Sequence, residues 1–161
     1  QFSLYRKSFL LDNNLWFYKG IYHEDNEFTP RAICLAEKIR VINAPIYNYY
    51  KGNPHSILSV PNIKKCFDLV LISKLTIKFL ETIKNKQTKK CLLNLAASEL
   101  NTSLRKIARE NFTLTDKRNL IESLEKKHVN AFLHCSNWRY VMMALCLRMS
   151  TKTYIQLLRY L

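Results

Sequence analysis

Lys38-Ile39-Arg40-Val41-Ile42-Asn43-Ala44-Pro45-Ile46-Tyr47-Asn48-Tyr49-Tyr50 is the stretch on which the fold turns. Both of its ends are dense in β-branched and aromatic residues, and Asn43-Ala44-Pro45 sits between them as a turn. That pattern predicts two strands, Lys38–Ile42 and Ile46–Tyr50. Lys51-Gly52-Asn53-Pro54-His55-Ser56 follows as the clearest loop of the chain. Two strands in an otherwise helical sequence give an α+β expectation, mainly α.

Working upstream, Leu4 to Asn13 reads as a short helix with Phe9 and Leu10 on its apolar side, ended by Asn13-Asn14. Leu15-Trp16-Phe17-Tyr18-Lys19-Gly20 reads as an aromatic, extended loop with the glycine as its turn. A helix is expected to begin near His23-Glu24-Asp25, where acids favour the positive end of a helix. It would continue through Phe28, Ile33, Cys34 and Leu35 with Pro30 in or near the first turn. Downstream, about four helices are expected. Ile63, Phe67, Val70, Leu71, Leu75, Leu80 and Ile83 recur at helical spacing, as do Leu93, Ala96, Ala97, Leu100, Leu104 and Ile107. Thr113 to Asp116 offers an N-cap for a third helix carrying Leu120, Ile121 and Leu124. Trp138, Val141, Met142, Leu145, Cys146 and Met149 make a stripe of a fourth. The expected division is residues 1–58, mixed, and residues 61–161, helical.

The composition supports long helices: 161 residues hold only two glycines and four prolines, and 48% are hydrophobic. The net charge is +14 and is unevenly spread. Residues 1–58 hold seven Lys/Arg against five Asp/Glu, and residues 59–161 hold nineteen against seven. The basic region implies an anionic neighbour or a solvated lysine-rich surface. An anionic membrane and the solvated surface explain it equally well, ahead of nucleic acid. Five cysteines with no C-x-x-C pair read as reduced and buried in apolar surroundings. No uninterrupted apolar run is long enough to span a bilayer. Gln1-Phe2-Ser3 opens straight into helix-like sequence, so the chain is expected to be a piece of a longer protein.

The chemistry-bearing stretch is Ile21-Tyr22-His23-Glu24-Asp25-Asn26-Glu27-Phe28: three carboxylates within four residues, next to a histidine and among aromatics. A carboxylate in a pocket with an aromatic entrance is a candidate proton acceptor. By spacing alone, acids decorating a helix N-terminus explain it better. His128 and His134 lack spaced partners, so no metal site is expected among them. The stripe of residues 138–149 reads first as core. Arg139, Arg148, Lys152 and Arg159 around it also fit a helix lying on an anionic membrane.

The run from Leu4-Tyr5-Arg6-Lys7-Ser8-Phe9-Leu10-Leu11 through Gly20-Ile21-Tyr22-His23-Glu24-Asp25 to Pro45-Ile46-Tyr47-Asn48-Tyr49-Tyr50 resembles the second half of the catalytic domain of bacterial family 2 glycosyltransferases of the GT-A fold, which build surface polysaccharide. The resemblance covers about the first 58 residues. It implies the C-terminal, acceptor-side edge of a GT-A domain followed by a helical extension. It implies an inverting transfer from a nucleotide-sugar, most simply a UDP-sugar, to a glycan or lipid-linked acceptor. Asp25 would be the general base and Glu24 its neighbour that positions the loop or binds acceptor. His23, Tyr22 and Trp16 would line the sugar or acceptor, and Lys51 and His55 would meet the donor diphosphate. Mn²⁺ or Mg²⁺ would be held mainly by an N-terminal half outside this sequence, because no Asp-x-Asp occurs within it. Alone, the piece would be inactive. It would reside in the cytoplasm, peripherally at the inner face of the membrane, with no nucleic-acid partner and no oligomeric state implied. The rival reading is a non-enzymatic basic helical module that binds nucleic acid, an anionic membrane or a protein partner.

Overall fold

A computed structural model describes residues 3–45, 48, 50 and 60–158. Among them there are seven α-helices: α1 (Lys7–Asp12), α2 (Glu24–Leu35), α3 (Ile63–Leu80), α4 (Lys86–Arg109), α5 (Leu114–Glu122), α6 (Lys126–Ala131) and α7 (Trp138–Leu157), with a 3₁₀ turn at Phe132–His134. No described residue lies in a strand. This overturns the α+β expectation, and with it the two-stranded GT-A edge. Lys38–Ile42 has no regular structure, and Val41 is 87% exposed. Ile46, Tyr47 and Tyr49 of the second expected strand lie outside the described residues. The misreading has a physical cause. β-Branched residues mark a strand only where a pleated, half-buried surface receives them, and Ile39, Val41 and Ile42 all stand exposed.

The helices are cut where the sequence supplies caps. Asn62, Asn85 and Asn137 accept from the backbone N–H of Lys64, Thr88 and Arg139 and start α3, α4 and α7. Thr113 and Asp116 form a reciprocal capping box at α5. The α3–α4 pair is the spine of the molecule. Small residues let the two helices close on each other: Cys66 and Ser73 of α3 face Ala96, Ala97 and Ser103 of α4, all five fully buried. Two hydroxyls join the helices directly, Ser103 Oγ donating to the Cys66 carbonyl at 2.8 Å and Ser73 Oγ to the Ala96 carbonyl at 2.6 Å. Leu100, Leu104, Ile107, Leu120, Phe132, Met143 and Ala144 complete one contiguous core under α5, α6, the 3₁₀ turn and α7.

His128 of α6 reaches into this core, where its Nε2 lies 2.9 Å from Ser73 Oγ. The single hydroxyl proton is directed at Ala96, so the imidazole donates from Nε2 and leaves Nδ1 as a bare acceptor. That nitrogen is buried without a described partner. Burial, reinforced by the Lys74 charge and opposed by Glu125, pushes the His128 pKa down to about 4.

A second, much smaller cluster holds the N-terminal segment together: Leu15, Phe28 and Ala32, with Tyr5, Phe9 and Leu10 against them. Phe28 is its centre, stacked on Phe17 at 4.3 Å and met edge-on by Tyr5 at 5.5 Å. Pro30 falls in the second turn of α2 and not the first. It therefore removes one intrahelical N–H from the ladder.

Among the described residues no helix is long and apolar enough to cross a membrane. The cysteines are free, but only Cys66 is buried and Cys91 is exposed, which corrects the expectation of five buried thiols.

Candidate functional site

The segment Gly20–Asn26 lies over the α3–α4 spine and is fixed on both flanks by carboxylates of those helices. On the first flank, Gly20 turns the chain at φ 80°, a conformation that glycine adopts freely. The backbone N–H of Tyr22 then donates to Asp68 Oδ2 at 2.8 Å. Lys64 Nζ binds both Asp68 oxygens, at 2.8 and 2.6 Å, and donates to the Gly20 carbonyl at 2.6 Å. The ammonium groups of Lys64 and Lys65 stand 5.4 and 5.6 Å from the centre of the Tyr22 ring, a favourable cation–π arrangement. Lys65 also donates to the Val60 carbonyl at 2.6 Å.

On the second flank, the Asn26 amide donates to both oxygens of Glu99 at 3.2 Å. Glu99 is buried on α4. Burial raises its pKa, the Asp25 charge adds to that, and the Asn26 hydrogen bond works against it.

Between these two anchors lie His23, Glu24 and Asp25. His23 starts α2 in the left-handed conformation, at φ 60° and ψ 36°, and its side chain makes no capping bond. A non-glycine residue there is strained by roughly 1–3 kcal/mol and persists only where its surroundings fix it. Here the surroundings are the Tyr22–Asp68 and Asn26–Glu99 bonds. Burial lowers the His23 pKa, and the charges of Lys106 and Lys65 add to the effect against Asp25 and Glu24. The imidazole is thus held neutral at physiological pH, with Nε2 buried and lacking a described partner. Glu24 and Asp25 are exposed, and Asp25 Oδ1 accepts from the Asn26 N–H at 3.1 Å.

The structure brings Tyr22, His23, Glu24 and Asp25 together. It does not bring Trp16 to them. Trp16 is exposed, its indole N–H donates to Asn14 Oδ1 at 2.8 Å, and its carbonyl accepts from Arg31 at 2.8 Å. No described hydrogen bond or ring contact joins it to residues 22–25. Arg31 also clasps Glu27 through two bonds of 2.6 and 2.7 Å. Glu27, the third carboxylate of the acidic run, is therefore buried and structural. Lys51 and His55 lie outside the described residues.

No group of acids, histidines and cysteines among the described residues suits a metal ion. The divalent cation that the resemblance implies would be held mainly outside this sequence, and no chemistry is routed through one here. Among the described residues, one open depression of about 440 Å³ is lined by Ala108, Arg109, Glu110, Asn111 and Lys117, and another of the same size by residues including Tyr18, Glu27, Arg31 and Phe79. Neither includes His23 or Asp25.

Asp68, Glu99, Asn26 and Lys64 escaped the reading of the sequence. A signal was present for two of them. Asp68 stands alone in Cys66-Phe67-Asp68-Leu69-Val70, and Glu99 alone in Leu95-Ala96-Ala97-Ser98-Glu99-Leu100. A single acid on an apolar helix stripe is buried only when something satisfies it.

Comparison of the chain with protein-family models, with curated proteins and with solved structures gives no match.

Proposed function

We propose that this chain is the acceptor-side part of an inverting glycosyltransferase and that Asp25 is its general base. One observation supports this more than any other. Two buried carboxylates, Asp68 and Glu99, hold the backbone on either side of Asp25 while the Asp25 carboxylate itself is left exposed. A group spent on decorating a helix end needs no such bracing. A proton acceptor does, because its efficiency depends on a fixed distance to the hydroxyl it serves.

In the proposed reaction the acceptor hydroxyl oxygen bonds to the anomeric carbon of a nucleotide-sugar. The bond from that carbon to the diphosphate oxygen breaks on the opposite face, and the configuration inverts. The hydroxyl proton passes to Asp25, and the electron pair leaves with the nucleoside diphosphate. His23 is assigned to the sugar or acceptor through the resemblance alone, and Glu24 lies beside the base on the same exposed turn. A UDP-sugar as donor and a lipid-linked or polysaccharide acceptor belong to this proposal through the resemblance alone.

The test is sugar transfer from a panel of UDP-sugars by the longest natural protein that carries this chain, wild type against Asp25→Asn. Loss of about 10²–10⁴-fold in kcat is expected in the variant. Transfer that survives the substitution removes Asp25 from the role of base. Absence of transfer with every donor removes the enzymatic reading.

A further inference from the structure

Helix α7 is apolar on two opposite sides. Its inner side places Met143, Ala144 and Leu147 in the main core, all buried. Its outer side is a stripe that faces solvent. Trp138 is 69% exposed, Met142 48%, Leu145 40% and Met149 87%. At about 100° per residue these four fall within roughly 60° of one another, and half-buried Val141 and Cys146 widen the stripe to roughly 140°. Arg148 and Arg139 stand at its two borders by the same geometry. The Arg139 guanidinium lies 5.9 Å from the centre of the Trp138 ring. The stripe runs from the first residue of α7 to Met149, and the helix breaks immediately afterwards, at Ser150.

The stretch of sequence that carries this stripe has charge of one sign. From Lys126 to Leu161 there are six Lys/Arg and no Asp or Glu. We propose that the outer face of α7 docks in the plane of an anionic lipid surface, with Trp138, Met142, Leu145 and Met149 in the acyl boundary and Arg139 and Arg148 on the phosphates. An apolar stripe with cationic borders and an aromatic at one end is the arrangement that such an interface receives. Other occupants fit less well. A second copy placed stripe to stripe brings arginines against arginines. A nucleic acid satisfies the arginines and leaves the exposed methionines, leucine and tryptophan in water. The proposal does not depend on the glycosyltransferase reading and stands or falls separately from it.

The test uses the full chain in a Trp16→Phe background, which leaves Trp138 as the one tryptophan, since the sequence holds two. Phosphatidylglycerol–phosphatidylcholine vesicles are expected to shift Trp138 emission to the blue and to sediment the protein. Phosphatidylcholine alone is expected to do neither. Replacing Leu145 and Met149 by Asp is expected to weaken sedimentation by at least about tenfold. Arg139→Gln and Arg148→Gln are expected to weaken it by about fivefold each at low salt. All these side chains reach solvent, so unchanged circular dichroism and melting are expected in the variants. If a variant does not fold, the emission of Trp138 on the unaltered stripe still decides the matter. Sedimentation without an emission shift means that another basic face holds the vesicle, and overturns the proposal. So does absence of binding, equal binding to both vesicle types, or a solution dimer that dissociates in the Asp variants.

Discussion

The main core and the N-terminal cluster are held by different physics. The α3–α7 core rests on a contiguous set of fully buried apolar side chains. The cluster around Phe28 has only three buried residues. Apolar area of that size does not order a segment by itself. What fixes residues 20–26 on the bundle is a set of polar ties, Tyr22 to Asp68, Gly20 to Lys64 and Asn26 to Glu99. The difference teaches that the bundle and the site it carries respond to different perturbations. The bundle is sensitive to volume, and the site is sensitive to charge and hydrogen-bond satisfaction.

The largest expected effect tests the volume half of that contrast. Leu104, fully buried in the main core, is expected to cost about 2–5 kcal/mol as Leu104→Ala. Thermal melting should register it over the whole molecule. Phe28→Ala deletes more atoms but should lower that same melt by less, because the cluster it empties contributes little to the bundle. Equal losses from the two would break the distinction.

Acid tests how strict the contrast is, because it reaches one buried group in each region, His128 in the bundle core and Glu99 beneath the site. His128 is neutral in the fold with a pKa near 4, against 6.5 in an unfolded chain. Between those values the unfolded state binds a proton that the folded state refuses, so stability falls as the pH is lowered through the window. The full loss is roughly 3 kcal/mol. Glu99 works in the other direction. Its pKa is raised in the fold, so acid relieves the burial of its charge and adds stability as the pH falls through the folded value. Urea titrations at a series of pH values should show the His128 slope, and His128→Gln should flatten it. A slope that survives His128→Gln would assign it to other groups.

The smallest effect is confined to the site. Asp68→Asn weakens the acceptor for Tyr22 N–H and removes the charge that Lys64 pairs with. A cost of about 1–3 kcal/mol is expected. It should appear as faster tryptic cleavage after Lys19, with the melting of the bundle nearly unchanged. A matched fall in global stability would show that the loop and the bundle unfold as one.

Much of the helical framework was legible in the sequence. The apolar spacing of Ile63–Ile83 and Leu93–Ile107 marked α3 and α4, and Thr113 with Asp116 marked the start of α5. α6 and the 3₁₀ turn were missed, because Lys126–His134 is too short to show a period. The strands at Lys38–Ile42 and Ile46–Tyr50 were read from composition. Composition carries no information on whether a neighbouring strand is there to pair. The stripe of α7 is visible in the sequence and reads first as core. A helix that is apolar on two opposite sides gives a period no power to choose between them, and only the position of α4 and α6 settles which side is inside. At the site, Tyr22 through Asp25 were legible because they are adjacent. Asp68 and Glu99 were not, because their partners lie 46 and 73 residues away in sequence.

Ser150 adopts φ −161° and ψ 107° within α7, and its hydroxyl accepts from the Thr153 N–H at 3.2 Å and from the Thr153 hydroxyl at 2.9 Å. It acts as the N-cap of a new, short helix. Helix formation is cooperative only along an unbroken ladder, and each side of a break must nucleate for itself. Residues 151–158 are too few to hold helical form alone. They depend on burial of Ile155 and Leu158 and on the 3.4 Å bond from Tyr154 to Asn101 of α4. One continuous-looking helix is therefore two cooperative units. The shorter is expected to open ahead of the longer, so hydrogen exchange should find its amide protons less protected than those in Trp138–Met149.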